Sequence, residues 1–236
     1  MDGKRIPIVT DVKMTEADQK AYQINNSARK KGITHEEMVK VYNNWADKYD
    51  NDLRPGLYNG PEIVVNALTD CLTKDKRRNL KLLDVAAGTG RVGELLLKIG
   101  FECSMDALDP AEKMLDILKS KGIYKRTWHD SIGYHQTEIP KDEYDVVLSA
   151  GAMAEGHIPV AAIDEMVRIL KPGGILITII REEYLTKIEE YTGKLEHCFQ
   201  KLVNEKKIKL VSRTVVPNYS FQNNGVVYIY EALSTK

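Results

Sequence analysis

The sequence predicts an α/β fold: a doubly wound, seven-stranded, mostly parallel sheet with a helical lid before it and an antiparallel β-hairpin at its C-terminal edge. Three observations predict it. Short apolar runs alternate with segments whose apolar residues recur at spacings of three and four from residue 80 to about 204. The first of these runs is followed by an unbroken string of small residues, Ala86, Ala87, Gly88 and Gly90. The chain then departs from the alternation and closes with two β-rich runs. Parallel neighbours need crossovers, and a helix between each pair of strands supplies them.

The elements follow in order. Residues 1–33 are polar and weakly patterned, and read as a loose or partly helical arm. Thr34-His-Glu-Glu37 is a capping box, with Thr34 capping and Glu37 reaching back. The helix it opens carries Met38, Val41, Tyr42, Trp45, Ala46 and Tyr49 on one face, and Pro55-Gly56 ends the pattern. Pro61 suits the first turn of a second helix that turns Ile63, Val64, Ala67, Leu68 and Leu72 inward. Residues 34–75 therefore form the lid, and 80–236 the α/β core of a domain spanning 34–236. In the core, strand 80–85 leads to helix 91–99, and strand 102–108 to a helix opened by Asp109-Pro-Ala-Glu112 and closed by Gly122. Strands 125–129 and 144–149 follow. A helix from Pro159 closes at Lys171-Pro-Gly-Gly174 before strand 175–180. One long helix is expected over 183–204, then strands 208–216 and 226–232 joined by a loop over 217–225.

Composition narrows the function. Formal charge is balanced, with 34 basic and 34 acidic residues, which disfavours a nucleic-acid surface or an anionic membrane as partner. The basic run at 74–78 reads as a solvated linker. Cys71, Cys103 and Cys198 are scattered, and His35, His129, His135 and His197 share no ligand spacing, so neither a disulfide framework nor a metal site is expected. No apolar run has membrane-spanning length, and Met-Asp-Gly-Lys-Arg at the start is no signal peptide. A monomer in the cytoplasm or nucleus is the expectation.

The chemistry concentrates after the first strand. Asp84 lies near the strand's end, and the small residues behind it let backbone approach a ligand beside the unpaired N–H groups of a helix start. Doubly wound sheets bind nucleotides in such a crevice. Gly88-Thr-Gly90-Arg-Val-Gly93 also fits G-x-G-x-x-G with an acid about twenty residues on, so a nicotinamide oxidoreductase is a rival. Against it stand the acid inside strand 1, the lack of a second half of comparable size, and the terminal hairpin. Neither G-x-S-x-G nor G-K-[ST] occurs, so a hydrolase or P-loop enzyme has no support.

Four stretches carry a resemblance. Leu-Leu-Asp84-Val-Ala-Ala-Gly88-Thr-Gly90, Asp109-Pro-Ala-Glu-Lys-Met114-Leu, Glu-Tyr144-Asp145-Val-Val-Leu and Leu170-Lys-Pro-Gly-Gly174 resemble the motifs of class I S-adenosylmethionine-dependent methyltransferases, whose sheet is Rossmann-like. Tyr42-Asn-Asn-Trp45-Ala-Asp-Lys-Tyr49-Asp-Asn-Asp52 and Gly151-Ala-Met-Ala-Glu155-Gly-His-Ile-Pro159 are similar to the methyltransferase-like protein 27 group. One departure stands out: Ala86 occupies a position where that family usually has glycine.

The resemblance implies S-adenosylmethionine as cofactor, with Asp84 meeting its amino-acid end and Ala86, Gly88 and Gly90 allowing close approach. It implies Asp109 on the ribose hydroxyls, with Pro110 beside it, and Ser149 and Ala150 at the end of the fourth strand. Asp130, Ser131 and Ile132 are candidates for the adenine, which Met114 and Ile132 would sandwich. Asp109 also suits a helix cap, Asp130 and Ser131 a surface turn, and Met114 plain core. Trp45 and Tyr49 are either core or an aromatic wall facing the sulfonium. Glu155 and His157, just after the fourth strand, are candidates to orient or deprotonate an acceptor, and are equally ordinary loop residues. Methyl transfer to a small molecule, lipid-like or quinone-like, or to a protein side chain is the expected activity. A cofactor-binding module without turnover is the alternative.

Overall fold

In the computed structural model, which describes residues 5–234, seven strands form one sheet. They are β1 (Arg78–Val85), β2 (Glu102–Leu108), β3 (Arg126–Trp128), β4 (Tyr144–Ala150), β5 (Leu170–Arg181), β6 (Ile208–Ser220) and β7 (Asn223–Ala232), in the order β3-β2-β1-β4-β5-β7-β6. β1 to β5 are parallel, and β7 is antiparallel to both β5 and β6. The expected sheet and terminal hairpin are both present. The order reverses between β1 and β4, so the crevice of a doubly wound sheet opens beside the last residues of β1.

The helices are α1 (Glu16–Ser27), α2 (His35–Asp52), α3 (Gly60–Cys71), α4 (Arg91–Lys98), α5 (Glu112–Ser120), α6 (Ala162–Arg168), α7 (Tyr184–Lys187) and α8 (Lys194–Asn204). Alternate strand residues feed opposite faces of the sheet. Leu82, Val146, Leu148 and Ile177 pack with Val64, Val65 and Leu68 of α3 and Leu96 of α4. Leu83, Val147, Leu176 and Ile180 pack with Ile163 and Met166 of α6 and Phe199 of α8. β1 and β2 both run from exposed to fully buried toward their carboxyl ends, and Ala107 near the end of β2 packs with Leu115 and Leu118 of α5. Among the described residues no helix is long and apolar enough to cross a membrane.

Several boundaries differ from the sequence reading. Of the two readings of the arm, the partly helical one holds. Thr15 and Asp18 form a capping box for α1, and the buried Asp18 pairs with Arg54, which holds its carboxyl well below the usual range and ties the arm to the lid. Residues 1–4, including most of the Met-Asp-Gly-Lys-Arg start, lie outside the described ones. The long helix expected over 183–204 is broken into α7 and α8. Gly193 takes a left-handed φ of 69° there, and the break lets Ile188 and Tyr191 reach the core. Lys171–Gly174 runs inside β5 with a register shift, where a helix-closing turn was expected, and α6 starts only at Ala162. β3 covers three residues where five were expected.

The hairpin loop shrinks most. The strands extend to Ser220 and Asn223, which leaves Phe221 and Gln222 as a two-residue turn with φ of 46° and 64°. Sequence hides this turn because neither residue is glycine or asparagine. Phe221 is kept there by its neighbours: its N–H donates to Leu57 O at 2.7 Å and its ring meets Tyr22 of α1 edge-on at 4.8 Å. Gln222 has no such duty. A left-handed non-glycine residue costs about 1–2 kcal/mol, and glycine returns about half of that as chain entropy. Gln222→Gly is therefore expected to stabilise the fold by about 0.5–1 kcal/mol, read from urea unfolding midpoints; a loss of stability would show that the turn is unstrained.

Candidate functional site

The site is built on the turn that follows β1. Ala86, Gly88 and Gly90 all have positive φ, at 54°, 54° and 87°. For the two glycines this is free; for Ala86 it stores about 1–2 kcal/mol of strain. The turn is clamped to the tip of β2. Ala87 N–H donates to Leu108 O at 3.1 Å. The Asp109 carboxylate accepts the Gly88 N–H at 2.8 Å with one oxygen and the Ala111 N–H at 2.8 Å with the other. It thus fixes the turn and the approach to α5 together, which is the helix-start contact its sequence context suggests. Burial pushes its carboxyl up to about 6, against the pull of those two N–H groups.

Asp84 is 1% exposed. Its side chain accepts one hydrogen bond, from Tyr124 OH at 2.7 Å, and that hydroxyl accepts in turn from Gly93 N–H at 2.9 Å. Burial pushes Asp84 up to about 7, helped by nearby Asp109 and opposed by Tyr124. No basic side chain pairs with Asp84 or Asp109 among the described residues. Each is a buried carboxyl whose charged form lacks a cation of the chain's own.

Two hollows meet at this turn. The larger, of about 660 Å³, is walled by Asp109, Pro110, Met114, Ser131 and Ile132 on one side and by α2 and the loop after β4 on the other. The smaller, of about 340 Å³, holds Asp84, Thr89 and Arg91. Tyr49, Ala86, Gly88 and Ala150 line both, so the two carboxylates face connected spaces across the turn. α2 is held over them by named contacts. Thr89 OH donates to Asp50 at 2.6 Å, and Asn43 accepts the Lys113 N–H at the start of α5 at 2.9 Å.

Five expected site residues lie outside both hollows. Trp45 is buried beside Tyr49, 5.0 Å between rings, and donates from Nε1 to Asp52 at 2.7 Å; it supports the wall without forming it. Asp130 accepts from its neighbour Ser131 N–H at 2.7 Å and pairs with His135, which turns it outward. Gly90 packs against Tyr124 and Leu118. Ser149 is fully buried, and its hydroxyl has no partner among the described residues. Glu155 reaches away to accept the Gly32 N–H at 3.2 Å, clasping the link between α1 and α2.

His157 does line the larger hollow, in company the sequence did not reveal: His35, Met38, Tyr42 and Tyr134. His157 Nδ1 lies 2.7 Å from Glu155 O, and Nε2 lies 2.9 Å from Tyr42 OH. A carbonyl only accepts, so Nδ1 carries the proton and Nε2 accepts from the phenol. Burial lowers the imidazole to about 4 and raises the Tyr42 phenol to about 12, so both are neutral near pH 7. Tyr42 carried a helical-face signal only, which a core residue gives equally well. Tyr124 gave no signal, since its role exists only once α5 has returned the chain to the sheet.

The methyltransferase domain family matches residues 82–174, the stretch that builds the turn, β2 and β4. Methyltransferase-like protein 27 of Homo sapiens is 32% identical over 167 residues, covering 69% of this chain and 67% of that protein. The chain belongs to the S-adenosylmethionine-dependent methyltransferases. Demethylmenaquinone methyltransferase of Leptospira interrogans is 27% identical over 165 residues, covering 67% of this methyltransferase and 64% of that one. In fold, it is similar to a SAM-dependent methyltransferase from Aquifex aeolicus, with a TM-score of 0.56, 18% identity, and coverage of 81% of this chain and 98% of that one. S-adenosylmethionine suits these residues: a cationic ligand with hydroxyls would complement two buried carboxylates that have no paired cation among the described residues.

Those carboxylates set a pH dependence. Asp84 and Asp109 hold their protons in the folded state up to about 7 and 6, whereas the ordinary value for both is 3.8. Between those limits the folded chain binds more protons than the unfolded one, so stability falls as pH rises. The ligand-free protein is expected to lose stability from about pH 4 to about pH 7, with Asp84→Asn flattening much of that slope. Urea unfolding across this range checks it, and an unchanged slope in the variant would show that Asp84 ionises freely.

Proposed function

We propose that this methyltransferase moves a methyl group to a small organic acceptor enclosed beneath α2, with residues 34–75 as lid and 80–236 as catalytic core. The observation that carries this reading is the continuity of the larger hollow: one space joins the Asp109, Met114 and Ile132 wall to the Tyr42 and His157 corner. A cofactor seat alone has no need of the second part. S-adenosylmethionine supplies a methyl group already activated on a sulfonium.

The chain's own residues then bind, align and keep out water. Asp109 accepts from the ribose hydroxyls, Asp84 faces the ammonium, and Met114 and Ile132 hold the adenine between apolar surfaces. Tyr49, common to both hollows and partly buried, excludes water where they meet. The balanced surface charge supports a soluble acceptor in the cytoplasm over nucleic acid.

Asp84→Ala and Asp109→Ala are each expected to weaken S-adenosylmethionine binding by about tenfold or more in calorimetry. Wild-type affinity is expected to rise between about pH 5.5 and about pH 7.5, because the cation favours the ionised form of a carboxyl titrating at about 7. Asp84→Ala should lose that rise. Unchanged affinity in both variants would remove Asp84 and Asp109 from the site.

A further inference from the structure

We propose that the acceptor is a flat aromatic or enolic molecule bearing a hydroxyl, and that Tyr42 and His157 form the relay that takes its proton. This rests on the larger hollow being the site of methyl transfer.

The walls fix the acceptor's shape. Beyond the cofactor residues, the hollow is bounded by Met38, Tyr134, Ala152 and Ile158, with no lysine, arginine or glutamate among its lining residues. Asp109 is its one carboxylate, and that group already accepts two N–H bonds. A flat apolar molecule fits walls of methionine, tyrosine and isoleucine.

The hydrogen bonds fix the direction of proton flow. The Glu155 carbonyl holds the Nδ1 proton of His157, so Nε2 is bare and takes the Tyr42 hydroxyl hydrogen at 2.9 Å. That is the one hydrogen bond the Tyr42 hydroxyl makes among the described residues, so its oxygen is still able to accept from a ligand hydroxyl. His35 and Ser131 form a similar pair, 2.7 Å apart, but both are half exposed, whereas His157 is buried. Tyr42 is partly buried too, but its partner His157 is buried, so this pair is the better shielded from water.

In the step, the acceptor's O–H bond breaks and its proton passes to Tyr42 Oη as Tyr42 gives its own to His157 Nε2. The freed electron pair, on oxygen or on the conjugated carbon, forms the bond to the methyl carbon. The carbon–sulfur bond breaks with its pair going to sulfur, and the positive charge lost there ends on the His157 imidazolium. Charge and protons balance without another reactant. An imidazole lowered to about 4 is a weak base. A phenol or enol gives up its proton to such a base more readily than an aliphatic alcohol does.

Binding and turnover test this separately. In calorimetry, 1-naphthol is expected to bind about tenfold or more tightly than 1-methoxynaphthalene, which lacks the donor. In Tyr42→Phe, which removes one oxygen and should fold, that preference should drop below about twofold. With labelled S-adenosylmethionine, methyl transfer to 1-naphthol should exceed transfer to 1-naphthylamine. Tyr42→Phe and His157→Gln should each lower kcat by about tenfold or more while the S-adenosylmethionine Kd stays within about twofold. Equal binding of the hydroxyl and methoxy compounds, preference for the amine, or full turnover in Tyr42→Phe would overturn the proposal with the methyltransferase reading intact. Failure of the wild-type protein to bind S-adenosylmethionine would instead overturn that reading, and the proposal with it.

Discussion

The hydrogen bond from Gly88 N–H to the Asp109 carboxylate, 2.8 Å long, is the constraint on which the site depends. It joins the turn after β1 to the tip of β2, and its other oxygen sets the first turn of α5. Without it, the Ala86–Gly90 segment has no reason to hold three left-handed residues, one of them an alanine. The strain at Ala86 and the desolvation of Asp109 are both unfavourable, and both persist because the sheet on one side and α2 on the other leave the turn nowhere else to go. Local strain held by a rigid surround is common where a ligand must be met by backbone.

Electrostatics suits this site to a cation. Two carboxylates border hollows that share part of their walls, and neither pairs with an arginine or a lysine among the described residues, Arg91 beside Asp84 being paired with Glu62. The same molecule does pair its other buried acids: Asp18 with Arg54, Glu62 with Arg91, Asp106 with Arg126 and Glu165 with Arg168. Leaving Asp84 with only the neutral hydroxyl of Tyr124 sets it apart. A carboxyl perturbed chiefly by burial and placed in a cleft is a mark of a site that completes its charge balance with a ligand.

Much of this was legible in the sequence, for physical reasons. The parallel core could be read because strands buried on both faces are uninterrupted apolar runs, and helices between them show their period. Asp84, Gly88 and Asp109 could be placed because strand ends and tight turns carry local signals. The misses are as instructive. Gln222 and Phe221 turn the chain without turn-forming chemistry, since contacts to Leu57 and Tyr22 select their conformation. The 183–204 segment kept a helical period across Gly193, and burial of Tyr191 decided the break. Tyr42, Tyr124, Tyr134 and His35 were invisible as site residues because each enters through a contact between distant segments. Glu155 and Asp130 look chemical in sequence, but a backbone N–H and a neighbouring histidine hold them elsewhere.

A crystal structure of the protein with S-adenosylmethionine is the most direct measurement of the central claim. The ammonium is expected within hydrogen-bonding reach of Asp84, and the ribose hydroxyls within reach of Asp109, with the methyl group directed into the space lined by Tyr42 and His157. Density for the ligand in a different pocket, or either carboxylate turned from it with the Gly88 contact unchanged, would contradict the assignment.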